Sequence, residues 1–116
     1  MLTLSSSLKI YVATEVVDLR KSFSGLCSLA TNVLGEDPTS GALFLFTNRR
    51  CNRIKCLYWD GTGLWVMTKR LEKGTFSWPR GVEVKNGKLA LSPEALGLLL
   101  DGVDLKGGSL RPWYQR

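Results

Sequence analysis

Residues 44–80 read FLFTNRRCNRIKCLYWDGTGLWVMTKRLEKGTFSWPR. Three apolar runs, at 42–46, 54–59 and 64–67, are parted by short polar turns. The run at 42–46 (ALFLF) is apolar on both faces, as a buried central strand is. In 54–60, Ile54, Cys56 and Tyr58 share one face and Lys55, Leu57 and Trp59 the other, so period two predicts a strand. Gly61-Thr62-Gly63 is short enough for a hairpin turn into a third strand at 64–71. Residues 75–78 read as a short further strand that Pro79 stops.

The same stretch holds the charge. Arg49, Arg50, Arg53, Lys55, Lys69, Arg70, Lys73 and Arg80 face only Asp60 and Glu72 within it. The rest of the chain balances cations against anions, so the net charge of +6 belongs to one strand-rich block. Nucleic acid is the commonest acidic partner of such a block. Tyr58, Trp59, Trp65 and Trp78 lie in it too. Bases stack on exposed rings while cations meet phosphate, and the face holding Lys55 and Trp59 is a candidate for that. Rings in strands more often form cross-strand core pairs, so most of these are expected to be structural.

Outward from this block, residues 8–13 (LKIYVA) alternate and predict a first strand. Asp18 is the expected N-cap of a helix over 19–34, whose apolar face is Leu19, Phe23, Leu26, Ala30, Val33 and Leu34. Gly35 is its expected stop. Arg20 and Lys21 would then fall in the first turn, against the helix dipole. Either they pair locally with Asp18 or Glu15, or they help the helix N-terminus hold an anion. Residues 81–91 predict a hairpin around Asn86-Gly87. Ser92-Pro93-Glu94 opens a second helix, with Ser as N-cap and Pro at N1, and Asp101-Gly102 closes it.

Length and composition fit one soluble domain: 116 residues, 44% hydrophobic and 22% charged. No apolar run reaches the ~18 residues that span a bilayer, and the first ten residues show no secretory pattern. The expected compartment is the cytoplasm, without membrane partners. Cys27, Cys51 and Cys56 form no C-x-x-C pair, and the chain has no histidine, so the thiols are read as reduced and neither a metal site nor a cofactor is expected. Absence of histidine also removes the usual general base and the triad chemistries built on it. A metal-dependent nuclease would need carboxylates converging on one ion, and Asp18, Asp60 and Asp101 share no spacing that binds them together. No phosphate-binding glycine loop is present.

The expectation is a single α+β domain over residues 1–116, with loosely ordered ends at 1–7 and 106–116. Its antiparallel β-sheet is a meander of hairpins, packed by one long N-terminal helix and one short C-terminal helix. No catalytic residue is assigned. The candidate DNA-binding residues are Arg20, Lys21, Arg49, Arg50, Arg53, Lys55, Lys69 and Arg70.

The runs TEVVDLRKSFSGL (14–26), GALFLFTNRR (41–50), YWDG (58–61), KRLE (69–72) and LLLDGVD (98–104) resemble a known family. It is the TnpB accessory-protein family of sixty-six-type bacterial insertion sequences, distinct from the RNA-guided nuclease of the same name. The resemblance spans about residues 10–105. It implies a non-catalytic accessory role in DNA transposition. The implied partners are element DNA, the transposase and a second small accessory protein of the same element. A rival expectation is a protein–protein adaptor that docks the transposase without touching DNA.

Overall fold

The computed structural model describes residues 7–79 and 87–102. In chain order the elements are β1 (Ile10–Ala13), α1 (Phe23–Asn32), β2 (Leu43–Thr47), β3 (Arg53–Trp59), β4 (Leu64–Arg70), β5 (Lys88–Leu91) and α2 (Pro93–Leu100). The five strands form one sheet in the order β4-β3-β2-β1-β5.

The expected meander is present as β2-β3-β4, joined antiparallel, with Leu43 opposite Tyr58 and Cys56 opposite Met67. The sheet as a whole is mixed, which corrects the all-antiparallel expectation. β1 runs parallel to β2, with Tyr11 beside Phe44, and antiparallel to β5. Its connection to β2 passes through α1, because parallel neighbours cannot be joined by a tight turn. The helix between the first two strands is therefore a crossover rather than a cap on a finished sheet.

α1 is shorter than expected, at ten residues. Leu19 is buried, which prolongs the apolar period towards the N-terminus, but residues 18–21 form a turn instead. The Asp18 carboxylate takes the Arg20 N–H and guanidinium, so it does not cap α1. Ser22 stands at the N-cap, without a side-chain capping bond. Past the other end, Gly35 at φ 68° turns the chain so that the Glu36 N–H reaches Ala30 O at 2.9 Å. Of the expected apolar face, Leu26, Ala30 and Leu34 are buried while Phe23 and Val33 are exposed.

The core has two layers, one on each side of the sheet. α1 lays Leu26 and Ala30, and the residue past its C-cap, Leu34, on Phe44, Phe46 and Leu57. On the opposite face Leu96 and Leu99 of α2, with Phe76 and Trp78, cover Ile10, Val12, Leu45 and Ile54. Every residue of β2 is buried, as its two-sided apolar pattern requires. Residues 75–78 are not a strand. Phe76 and Trp78 turn their rings inward, and the Trp78 Nε1–H donates to Ala13 O at 2.7 Å, a buried bond 65 residues long in sequence.

α2 follows its sequence signals. The Ser92 hydroxyl accepts from the Ala95 N–H at 3.1 Å, Pro93 is the first helical residue, and Asp101 is the C-cap. Of the expected 81–91 hairpin, the strand Lys88–Leu91 is found. Of its turn, Gly87 has φ 62° and its carbonyl accepts the Thr14 N–H at 3.0 Å; residues 81–86 and both expected loose ends, save Ser7, lie outside the described residues.

Candidate nucleic-acid interface

The β2–β3 connection is built by Asn48. Its Oδ1 accepts the Asn52 N–H at 3.1 Å and the Arg53 N–H at 3.3 Å, while its Nδ2 donates to Asn52 Oδ1 at 2.8 Å. The Cys51 N–H closes the turn on Asn48 O at 3.0 Å. Cys51 takes φ 54°, the one left-handed non-glycine residue among those described. This clamp leaves Arg49 and Arg50 exposed at the turn's tip. Cys51 itself is buried, and its carbonyl accepts the Phe76 N–H, which fixes the turn to the body.

The strand register then sets the next cations. Arg53 is opposite Arg70, and Lys55 is opposite Thr68. Side chains two apart share a face, so Arg53, Lys55 and Arg70 lie together on the α1 side of the sheet. Lys55 Nζ donates to Lys21 O at 2.7 Å, which ties the strand to the chain entering α1. A Cβ at Gly25 would stand 2.8 Å from Lys21 Cβ, so the glycine makes room for Lys21 along the first turn.

The Val17 N–H donates to Thr47 O at 2.9 Å and pins the 14–18 loop beside the end of β2. An open cleft of about 410 Å³ follows, lined by Val16, Val17, Asp18, Leu19, Asn48, Arg49 and Arg50. Arg20, exposed next to it, forms a bidentate pair with Asp18 at 2.7 Å. The Arg20 hydrogen bonds hold the Asp18 carboxyl well below the usual carboxylate range. Of the two openings for Arg20 and Lys21, local pairing describes Arg20. Both residues precede the helix rather than occupying its first turn.

The structure thus gathers seven of the eight candidates at one end of the sheet: Arg20, Lys21, Arg49, Arg50, Arg53, Lys55 and Arg70. Lys69 is apart from them. It projects to the opposite face, where its Nζ donates to Leu100 O at 2.7 Å. A cation at the last turn of α2 meets the negative end of the helix, so Lys69 serves that helix.

The aromatic residues divide as well. Trp78 is core. Trp59 and Tyr58 are half-buried, and Trp65 is 46% exposed. Trp65 Nε1–H donates to Asp60 Oδ2 at 2.8 Å. Asp60 Oδ1 also accepts from the Thr62 N–H and hydroxyl and the Gly63 N–H, with Gly61 at φ 103° completing the β3–β4 turn. These donors hold Asp60 well below its ordinary range. Asp18 and Asp60 each serve a local turn. Among the described residues no three metal-ligating side chains gather.

Sequence reasoning missed the Asn48–Asn52 clamp and Lys88, whose Nζ bonds Leu34 O at 2.8 Å and Glu36 at 3.2 Å. The asparagine spacing across a basic turn was the available signal for the first. The second joins distant segments and left none.

The family model described as "IS66 Orf2 like protein" matches residues 8–109. Two relatives come from Sinorhizobium fredii (strain NBRC 101917 / NGR234). The chain is 45% identical to "Uncharacterized protein y4jC" over 100 residues, covering 86% of this chain and 83% of that protein. It is 36% identical to "Uncharacterized protein y4hO" over 104 residues, covering 90% and 88%. No solved structure matches the chain.

Proposed function

This chain belongs to the IS66 Orf2-like family of insertion-sequence proteins, and on that premise we propose that it is a non-catalytic accessory of transposition that holds DNA phosphates on its basic end. The observation that carries the reading is convergence. Three separate segments converge on one end of one sheet: Arg20 and Lys21 before α1, Arg49, Arg50, Arg53 and Lys55 around the β2–β3 turn, and Arg70 at the end of β4. Asp18 is the acid built into that group, and it is matched by Arg20. Contacts to phosphate position a duplex without reading its sequence, so a preference for particular ends would require base contacts as well. The partners in this reading are element DNA, the transposase and the second small accessory protein. Support for a role without catalysis comes from the engagement of Asp18 and Asp60 in turns of separate segments.

The test is binding to duplex DNA of element-end and unrelated sequence across a salt series. The slope of log affinity on log salt should be about −0.9 for each phosphate neutralised. Preference for the ends would make the protein a recognition subunit, and equal binding a phosphate-holding one. Absence of binding at low salt would overturn the DNA reading in favour of the adaptor, which a pull-down with the transposase then tests.

A further inference from the structure

β4 is an edge strand, and among the described residues no strand pairs with its outer side. The phase of its ladder is fixed at both ends: the Leu71 N–H donates to Asn52 O at 2.9 Å, and the Asp60 N–H to Gly63 O at 3.1 Å. Alternation between these bonds turns the main-chain groups of Trp65, Met67 and Lys69 towards β3. Those of Leu64, Val66, Thr68 and Arg70 point out of the sheet. An open edge of this kind is a template for another strand.

The flank of this edge is apolar. On the α2 side lies a groove of about 290 Å³ whose walls include Ile54, Cys56, Met67, Leu96 and Leu100. Trp65 shares the face of Met67 and is 46% exposed. Lysine is the usual guard of an edge strand. Here the one lysine of β4 is folded back onto Leu100 O.

The order of side chains along β4 selects the occupant. Leu64 and Trp65 mark its start, and Thr68, Lys69 and Arg70 its end. An antiparallel copy of the same strand sets the cationic end against the apolar start and keeps the two cationic ends apart. We propose that two copies of this chain pair antiparallel through β4, about a two-fold axis at Met67, to form one continuous sheet. This register uses the whole strand. It places Val66 opposite Thr68 of the copy, Leu64 opposite Arg70, and Trp65 opposite Lys69. Sliding the pair towards Arg70 brings like charges together, and sliding it towards Leu64 shortens the ladder. The interface is isologous and closes at two copies, so the edge is used up without fibre growth. Both α1 helices then lie on one side of the sheet, with the two Arg70 residues about 20 Å apart along the strands. The inference rests on β4 alone and stands whether or not the basic end binds DNA.

Sedimentation equilibrium of the full chain over a concentration series tests it. The expected mass rises to twice the 12.9 kDa of the monomer. Thr68→Pro removes an outward N–H that β3 does not use, so it should restore the monomer mass with an unchanged far-UV spectrum. Residue-resolved hydrogen exchange on the unaltered chain decides the matter even if that variant fails to fold. The amides of Leu64, Val66, Thr68 and Arg70 should gain protection as concentration rises. A monomer at every concentration overturns the proposal, whether those amides are open or are covered by another part of the same chain. A dimer in which they remain unprotected overturns it too.

Discussion

Arg53 and Arg70 stand directly opposite each other on β3 and β4, two exposed guanidinium groups in a pair that exchanges no main-chain hydrogen bonds. Such pairs bring side chains closest, with Cα atoms about 4.5 Å apart. Like charges there oppose folding. The proposed phosphate contact would screen both charges.

Arg70→Thr should therefore raise stability while weakening DNA binding. The expected gain is about 0.5 kcal/mol in urea unfolding, from relief of the repulsion. In the same variant the salt dependence of DNA binding should become shallower by about one phosphate's contribution. An unchanged salt slope would remove Arg70 from the contact surface, and unchanged stability would show that the two cations splay apart.

Asn48→Ala removes both acceptor bonds and the donor bond of the β2–β3 turn. The expected cost is about 1–2 kcal/mol in denaturant unfolding, since the Asn52 and Arg53 N–H groups lose their partner. Asn48→Asp keeps the acceptor oxygen and should recover most of that loss. Equal losses in both variants would put the weight of the clamp on the Asn52 side-chain bond instead.

Asp60 makes the β3–β4 turn acid-sensitive. Its folded pKa is held below the ordinary 3.8 by the Thr62 N–H, then the Trp65 indole, the Thr62 hydroxyl and the Gly63 N–H. A depressed carboxylate contributes stability that is present above the unfolded pKa and is lost as pH falls through the folded one. Asp60→Asn should accordingly melt lower than the parent at pH 7, with the gap closing below about pH 4. Trp65 fluorescence should shift over the same acidic range, because its N–H partner is the titrating group. A melting gap that persists unchanged into acid would assign the turn's stability to its glycines.

What the sequence shows most clearly is local. Ser92 and Pro93 open α2 at the expected residue because the cap and its N–H partner are three positions apart. β2 is buried throughout because its five residues are apolar on both sides, apart from Thr47, whose hydroxyl is satisfied by Arg53 O at 2.7 Å. The start of α1 was hidden by Leu19, a core residue that keeps helical spacing while belonging to a turn. Residues 75–78 alternate like a strand because Phe76 and Trp78 both point inward, yet they pair with no neighbour in the sheet. Charge clustering identified the basic block. It could not separate Lys69 from Lys55, since the face each takes depends on β3–β4 register and on where α2 ends.

β1 lies in the interior of the sheet, between β2 and β5, although it is the first strand of the chain. During synthesis the β2-β3-β4 hairpins can close from neighbouring sequence as soon as they emerge. β1 must wait: its far edge stays bare until residues 88–91 arrive, and Ala13 O waits for Trp78. Late pairing of distant segments slows folding and prolongs exposure of an unpaired strand. A ribosome that stops before Lys88 would therefore release a chain whose finished meander is flanked by an incomplete N-terminal strand, the form most prone to misassembly.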